Sequence, residues 1–176
     1  MKQYRNNGAI GALLDEYENA IQALQAVTKT ISQEELITIV DPTTNDEDCK
    51  SIQTILTHVV RSGYWYTQEI RKSQGEALGP PRHQVFDTIE QYIKALDGLM
   101  TANIQLFEDY PTIPLETLGT DGKMLVSWKQ HYDVEQLMEH AIVHILRHRR
   151  QIERFLQKLR HSPFCPHKCR FIRPQS

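Results

Sequence analysis

Apolar residues recur at three- and four-residue intervals along most of this chain, the period of a helix with one buried face. Between about Ala9 and Thr30 they fall at Ile10, Leu13, Leu14, Tyr17, Ile21, Leu24 and Val27. Ser32 and Glu35 make a capping-box pair, opening a short helix that stops before Asp41-Pro42. A second long helix is predicted from about Asp46 to Ser73, with Ile52, Ile55, Leu56, Val59, Gly63, Tyr66 and Ile70 on its inner face. Gly75, Gly79, Pro80 and Pro81 then break the pattern. The period resumes from about Asp87 to Asp109, where Ile89, Ile93, Leu96, Leu99, Met100, Ile104 and Phe107 face inward. A fourth long helix is predicted to start from Asp133 as N-cap, with Gln136 as its capping-box partner, and to run to about Arg160.

The longest connection lies between Tyr110 and Tyr132. It holds Pro111, Pro114 and the turn signal Thr120-Asp121-Gly122-Lys123, and Lys123-Met124-Leu125-Val126 suits a short extended piece. Four long amphipathic helices with one long crossover connection predict an all-α four-helix bundle. The bundle is expected over residues 1–162 as one domain. The basic, proline-punctuated segment 163–176 is expected to be a weakly ordered tail.

Composition narrows the function classes. The chain has 176 residues, 40% hydrophobic and 24% charged, as expected of a globular domain with a real core. A net charge of −2 gives no global basic field for nucleic acid, and the run Arg147, Arg149, Arg150, Arg154 is short and interleaved with core positions. No stretch approaches the roughly 18 apolar residues of a membrane span. The first residues precede no apolar run of signal-peptide type, so a cytoplasmic protein is expected. Three cysteines, Cys49, Cys165 and Cys169, without a secretory signal argue against a disulfide framework.

The chemistry stands on the fourth helix. His144 and His148 lie within its apolar stripe of Leu137, Ala141, Ile145, Ile152, Phe155, Leu156 and Leu159. Two imidazoles one turn apart project from one face about 6 Å apart, a gap one metal ion can bridge. His140 extends the row, but about 12 Å of helix rise separates it from His148, too far for one ion to take all three. A third ligand is therefore sought on a facing helix, and His58 is the candidate. His140 is assigned a supporting or structural part. Two other helical metal sites fail on spacing. His144-Ile145-Leu146-Arg147-His148 lacks the glutamate of a His-Glu-x-x-His protease, and no histidine has a glutamate three residues before it, as di-iron bundles require. A haem site needs ligands on opposite faces, which His144 and His148 on one helix face cannot supply; a His58/His144 pair could, but little else in the sequence supports it.

With these residues in view, the chain resembles the DinB/YfiT-like superfamily, named for a DNA-damage-inducible member. The family carries one histidine on its second bundle helix and a pattern like His-x-x-x-His-x-x-x-His-Arg-Gly-Gln on its last. Here the latter is His140-Ala141-Ile142-Val143-His144-Ile145-Leu146-Arg147-His148-Arg149-Arg150-Gln151. The resemblance covers about residues 9–160. It implies that His58, His144 and His148 are the ligands of a divalent transition metal, zinc or nickel most often, and that the protein is a homodimer. Some branches of the family are thiol S-transferases or thiol-dependent isomerases. Arg147 replaces a histidine often found before the last ligand, and Arg150 stands where glycine is common.

The expected function is thus a divalent-metal-dependent enzyme. Its open coordination position would activate a thiol or water, in S-transfer or hydrolysis, with a small-molecule substrate and a low-molecular-weight thiol as partners. No catalytic residue is assigned. The alternative is a non-catalytic metal-binding, stress-associated protein. Arg147 and Arg149 are weighed as anchors for an anionic cosubstrate against solvated surface charges. Glu135 and Glu139 are weighed as orienters of an imidazole. Tyr64, Trp65, Tyr66, Trp128 and Tyr132 are weighed as a pocket mouth against core packing. The Cys165/His167/Cys169 cluster belongs to the expected tail.

Overall fold

The computed structural model describes residues 4–161. Four long helices dominate it: α1 (Gly8–Thr28), α3 (Ile52–Ser73), α4 (Ile89–Asp109) and α5 (Val134–His161). α1 and α3 each pack against both α4 and α5, so α1 faces α3, and α4 faces α5, across the bundle diagonal. The long connection from 110 to 133 is the expected crossover. The shorter one, 29–51, also crosses the bundle and carries the single-turn helix α2 (Gln33–Ile37). Among the described residues, no helix is long and apolar enough to cross a membrane. The tail 163–176, with Cys165, His167 and Cys169, lies outside the described residues.

Local chemistry explains the boundaries. Ser32 caps α2 through the predicted box with Glu35. Asp133 Oδ1 accepts from the Gln136 N–H, and Gln136 Oε1 accepts from the Asp133 N–H, so α5 starts where its signature places it. The same carboxylate accepts from Lys123 Nζ at 3.1 Å, tying the crossover to the start of α5. The predicted extended piece is realised as β1 (Met124–Leu125), antiparallel to β2 (His131–Tyr132), with Met124 opposite Tyr132.

Two expectations need correction. The helix placed from Asp46 begins only at Ile52. Ser51 adopts an extended backbone and forms a capping box with Thr54, while Glu47–Cys49 make a separate 3₁₀ turn capped by Asp46. A serine and threonine that each accept the other's N–H compete with continued helix, and here the cap wins. On α4, Ile93 and Ile104 are only half-buried, whereas Tyr92, Asn103 and Leu106 are buried. Asn103 can go inside because its Nδ2 donates to Leu99 O and its Oδ1 accepts from the Thr67 hydroxyl.

The core lies between all four helices and includes the inward residues predicted for α3: Ile52, Ile55, Leu56, Val59, Gly63, Tyr66 and Ile70. Gly63 sets the α3–α4 spacing, because a Cβ there would stand 2.3 Å from Leu99 Cδ2, a fully buried side chain. Overpacking of this kind costs about 1–3 kcal/mol, and the better helix propensity of alanine returns about 1 kcal/mol. Gly63→Ala is therefore expected to lose about 1 kcal/mol net, read as a lower denaturant midpoint at unchanged m.

Candidate metal centre

α3 and α5 pack side by side, and that contact brings the three predicted histidines together. One ring nitrogen from each of His58, His144 and His148 lies within 4.8 Å of the other two. His58 Nε2 and His144 Nε2 are 3.0 Å apart. Nitrogens bound about 2.0–2.1 Å from a tetrahedral ion stand about 3.3 Å apart, so small ring rotations bring this triangle to metal-binding size. His148 is buried, while His58 and His144 are half-buried and face a cleft.

Behind two of the rings, Nδ1 meets an acceptor. His58 Nδ1 is 2.9 Å from Asp48 Oδ2, so its Nδ1–H donates to the carboxylate and Nε2 keeps its lone pair. His148 Nδ1 is 3.0 Å from Gln151 Oε1, an acceptor in turn for the Cys49 thiol at 3.8 Å, so Nε2 is again left free. Carboxylate and amide acceptors behind imidazoles are the usual support of histidine ligands, because they orient the ring and raise its basicity. Asp48 reaches His58 because the chain leaves the helix before Ser51: the 3₁₀ turn lies against α3 rather than extending it.

Electrostatics favours neutral rings. Burial pushes the pKa of His144 down to about 2, and the neighbouring His148 and His58 add repulsion. Burial also lowers that of His148, to about 4, with repulsion from His58. Neutral imidazoles are the form that binds a metal. The same shift makes the ion-free protein acid-sensitive. The unfolded chain binds more protons than the folded one below pH 6.5, so stability falls as pH falls from 6.5 towards about 4. For His148 this is about 2 kcal/mol by pH 5. Unfolding in chelator at pH 7 and pH 5 should show a smaller loss in His148→Leu than in the parent.

A cleft of about 550 Å³ opens over His58 and His144, walled by Trp65, Tyr66, Trp128, His140 and Arg61. Trp128 is carried there by the β1–β2 turn, which closes through Lys129 at φ 63° and a bond from Val126 N to Gln130 O. Its ring stacks on His140, with centroids 5.2 Å apart at 23°, and stands 5.3 Å from Trp65.

The predicted supporting residues divide. His140 does not hydrogen-bond a member of the triad. It joins the aromatic wall, its Nδ1 3.4 Å from Tyr132 Oη and its ring centroid 6.5 Å from that of His144. Trp65, Tyr66 and Trp128 line the cleft, whereas Tyr64 lines a separate cavity. Arg147 is exposed and Arg149 reaches Glu153, so Arg61 is the arginine that lines the cleft. Glu139 is exposed, and Asp48 and Gln151 take the orienting positions weighed for Glu135 and Glu139.

The family model described as DinB family matches residues 1–169. The chain belongs to the DinB family. The match spans all four bundle helices and every histidine of the triad. No curated protein and no solved structure gives a significant match to it. In this DinB-family protein the donor set fits a divalent transition ion. Three imidazoles converge to bring one nitrogen each within 4.8 Å of the others, and two of them are held from behind at Nδ1.

Proposed function

We propose that this DinB-family protein is a metal-dependent enzyme. His58, His144 and His148 hold a divalent transition ion, zinc or nickel, and a low-molecular-weight thiol or water takes the open position. The observation that carries the reading is the cleft over the triad. Three protein ligands beside a cavity of about 550 Å³ suit a site that admits substrate, whereas a purely structural site is closed by a fourth ligand. A bound ion of this type lowers the pKa of a thiol or water towards neutrality, as S-transfer or hydrolysis requires.

The chain's own residues prepare that chemistry. Asp48 holds the Nδ1 proton of His58, and Gln151 holds that of His148, so neither ring can turn its protonated side to the centre. The Ser62 hydroxyl, 3.5 Å from His58 Nε2, stands at the edge of the site as a hydrogen-bond donor or acceptor. Trp65 and Trp128 close one side against water, and Arg61 places a cation where an anionic substrate group would enter. The test is thiol consumption by zinc- or nickel-loaded protein with an aromatic chloride as electrophile, alongside hydrolysis of an activated ester. Metal-dependent turnover that disappears in His144→Ala supports the enzyme. Stoichiometric metal binding without turnover in either assay favours the non-catalytic alternative.

A further inference from the structure

A second cavity lies on the neighbouring face of α3, between that helix, α4 and the segment 81–86, and its volume is about 590 Å³. That is the size of a small-molecule site, typically about 300–1,000 Å³. Three cations line it: Arg61, Arg82 and Lys94. None of them forms an ion pair with a described carboxylate, and no acidic residue lines the cavity. In a chain of net charge −2, this concentrates uncompensated positive charge at one concave place.

The interior differs from the rim. Tyr64 and Phe86 supply aromatic surface. The wall is pre-formed. The Phe86 N–H donates to Tyr92 Oη at 3.2 Å, Gln53 Nε2 donates to Phe86 O at 2.9 Å, and the Phe86 ring meets Tyr92 edge-on at 5.2 Å. Tyr92 Oη is itself fixed by Thr57 at 2.6 Å.

We propose that this cavity binds an amphipathic organic anion, with a planar apolar body against Tyr64 and Phe86 and a carboxylate or sulfonate at the Arg82/Lys94 rim. The site is separate from the histidine triad. Arg61 lines both cavities, so the discriminating positions are Arg82, Lys94 and Ala95, none of which lines the cleft over the triad.

The probe is 8-anilino-1-naphthalenesulfonate, titrated by fluorescence into the full-length native protein, with the uncharged N-phenyl-1-naphthylamine as control. The sulfonate dye should bind saturably at one site. Arg82→Gln/Lys94→Gln should weaken it about tenfold, the equivalent of about 1.4 kcal/mol, while leaving the neutral dye unchanged. Ala95→Phe should abolish saturable binding by filling the cavity. Metal content should be unaffected in all variants. Because Arg82 and Lys94 are exposed, the rim variant keeps the test decisive if Ala95→Phe fails to fold. Three outcomes overturn the proposal: no saturable dye binding, binding insensitive to the rim variant, or binding lost in His144→Ala but kept in the rim variant, which would put the dye in the cleft over the triad.

Discussion

Replacing His148 with alanine is expected to weaken divalent-metal binding by more than about 100-fold. Loss of an outer partner alone typically costs 10–100-fold, and loss of a ligand removes one of three donors. His148 is the most buried of the three, with 2% of its surface exposed, so water has poor access to take its place. Its ring is also pre-oriented by Gln151, and that pre-organisation is lost with it. The same loss is expected for His58→Ala and His144→Ala. His140→Ala should stay within about threefold of the parent, since its ring belongs to the aromatic wall and touches Trp128 and Tyr132 rather than the triad's ring nitrogens. Competition with a chromophoric chelator measures all four. Equal affinity in His148→Ala and the parent, or an equal loss in His140→Ala, would contradict the assignment.

The second large effect is expected at a residue that binds no metal. Asp48→Ala should weaken metal binding by about 10–100-fold, because the carboxylate holds the His58 Nδ1 proton and thereby frees Nε2. A merely structural aspartate would not move the tautomer of His58. Nitrogen-15 shifts of the imidazole provide that readout: Nδ1–H should predominate in the ion-free parent and lose its dominance in Asp48→Ala. Persistence of the same tautomer would show that something else orients the ring. Asp48 lies on the 3₁₀ turn and not on α3, so its removal leaves the Ser51–Thr54 capping box and the helix intact.

These two residues mark what the sequence discloses and what it conceals. His144 and His148 are legible because helical spacing fixes the relative position of residues four apart. His58 follows from the need for a donor on a facing helix, and α3 does pack on α5. Asp48 is concealed by a boundary. Read as one helix from Asp46, the segment puts residues 48 and 58 ten positions apart on a straight rod. Only the break at Ser51 folds the aspartate back, although Ser51 and Thr54 carried a capping signal that would have revealed it. Gln151 was visible as the residue three after His148, one helical turn away, but an amide gives a weaker chemical signal than the carboxylates Glu135 and Glu139.

The fold shows the same division. The bundle, the crossover and the Asp133–Gln136 start of α5 follow from periodicity and capping alone. The inner face of α4 does not, because Asn103 is polar by composition and interior by virtue of its hydrogen bonds to Leu99 and Thr67. Arg61 is concealed for a related reason. Arg147 and Arg149 lie nearer the ligands in sequence, whereas cleft access depends on which helix face adjoins the cavity, and that is a tertiary property.

The measurement that bears most directly on the metal centre is elemental analysis of tag-free protein beside His58→Ala, both reconstituted with zinc or nickel and desalted. One ion per chain is expected in the parent and none retained in His58→Ala, since the site needs donors from both α3 and α5. No ion in the parent would contradict it. So would an ion kept by His58→Ala, above all one released when residues 163–176, with Cys165, His167 and Cys169, are removed.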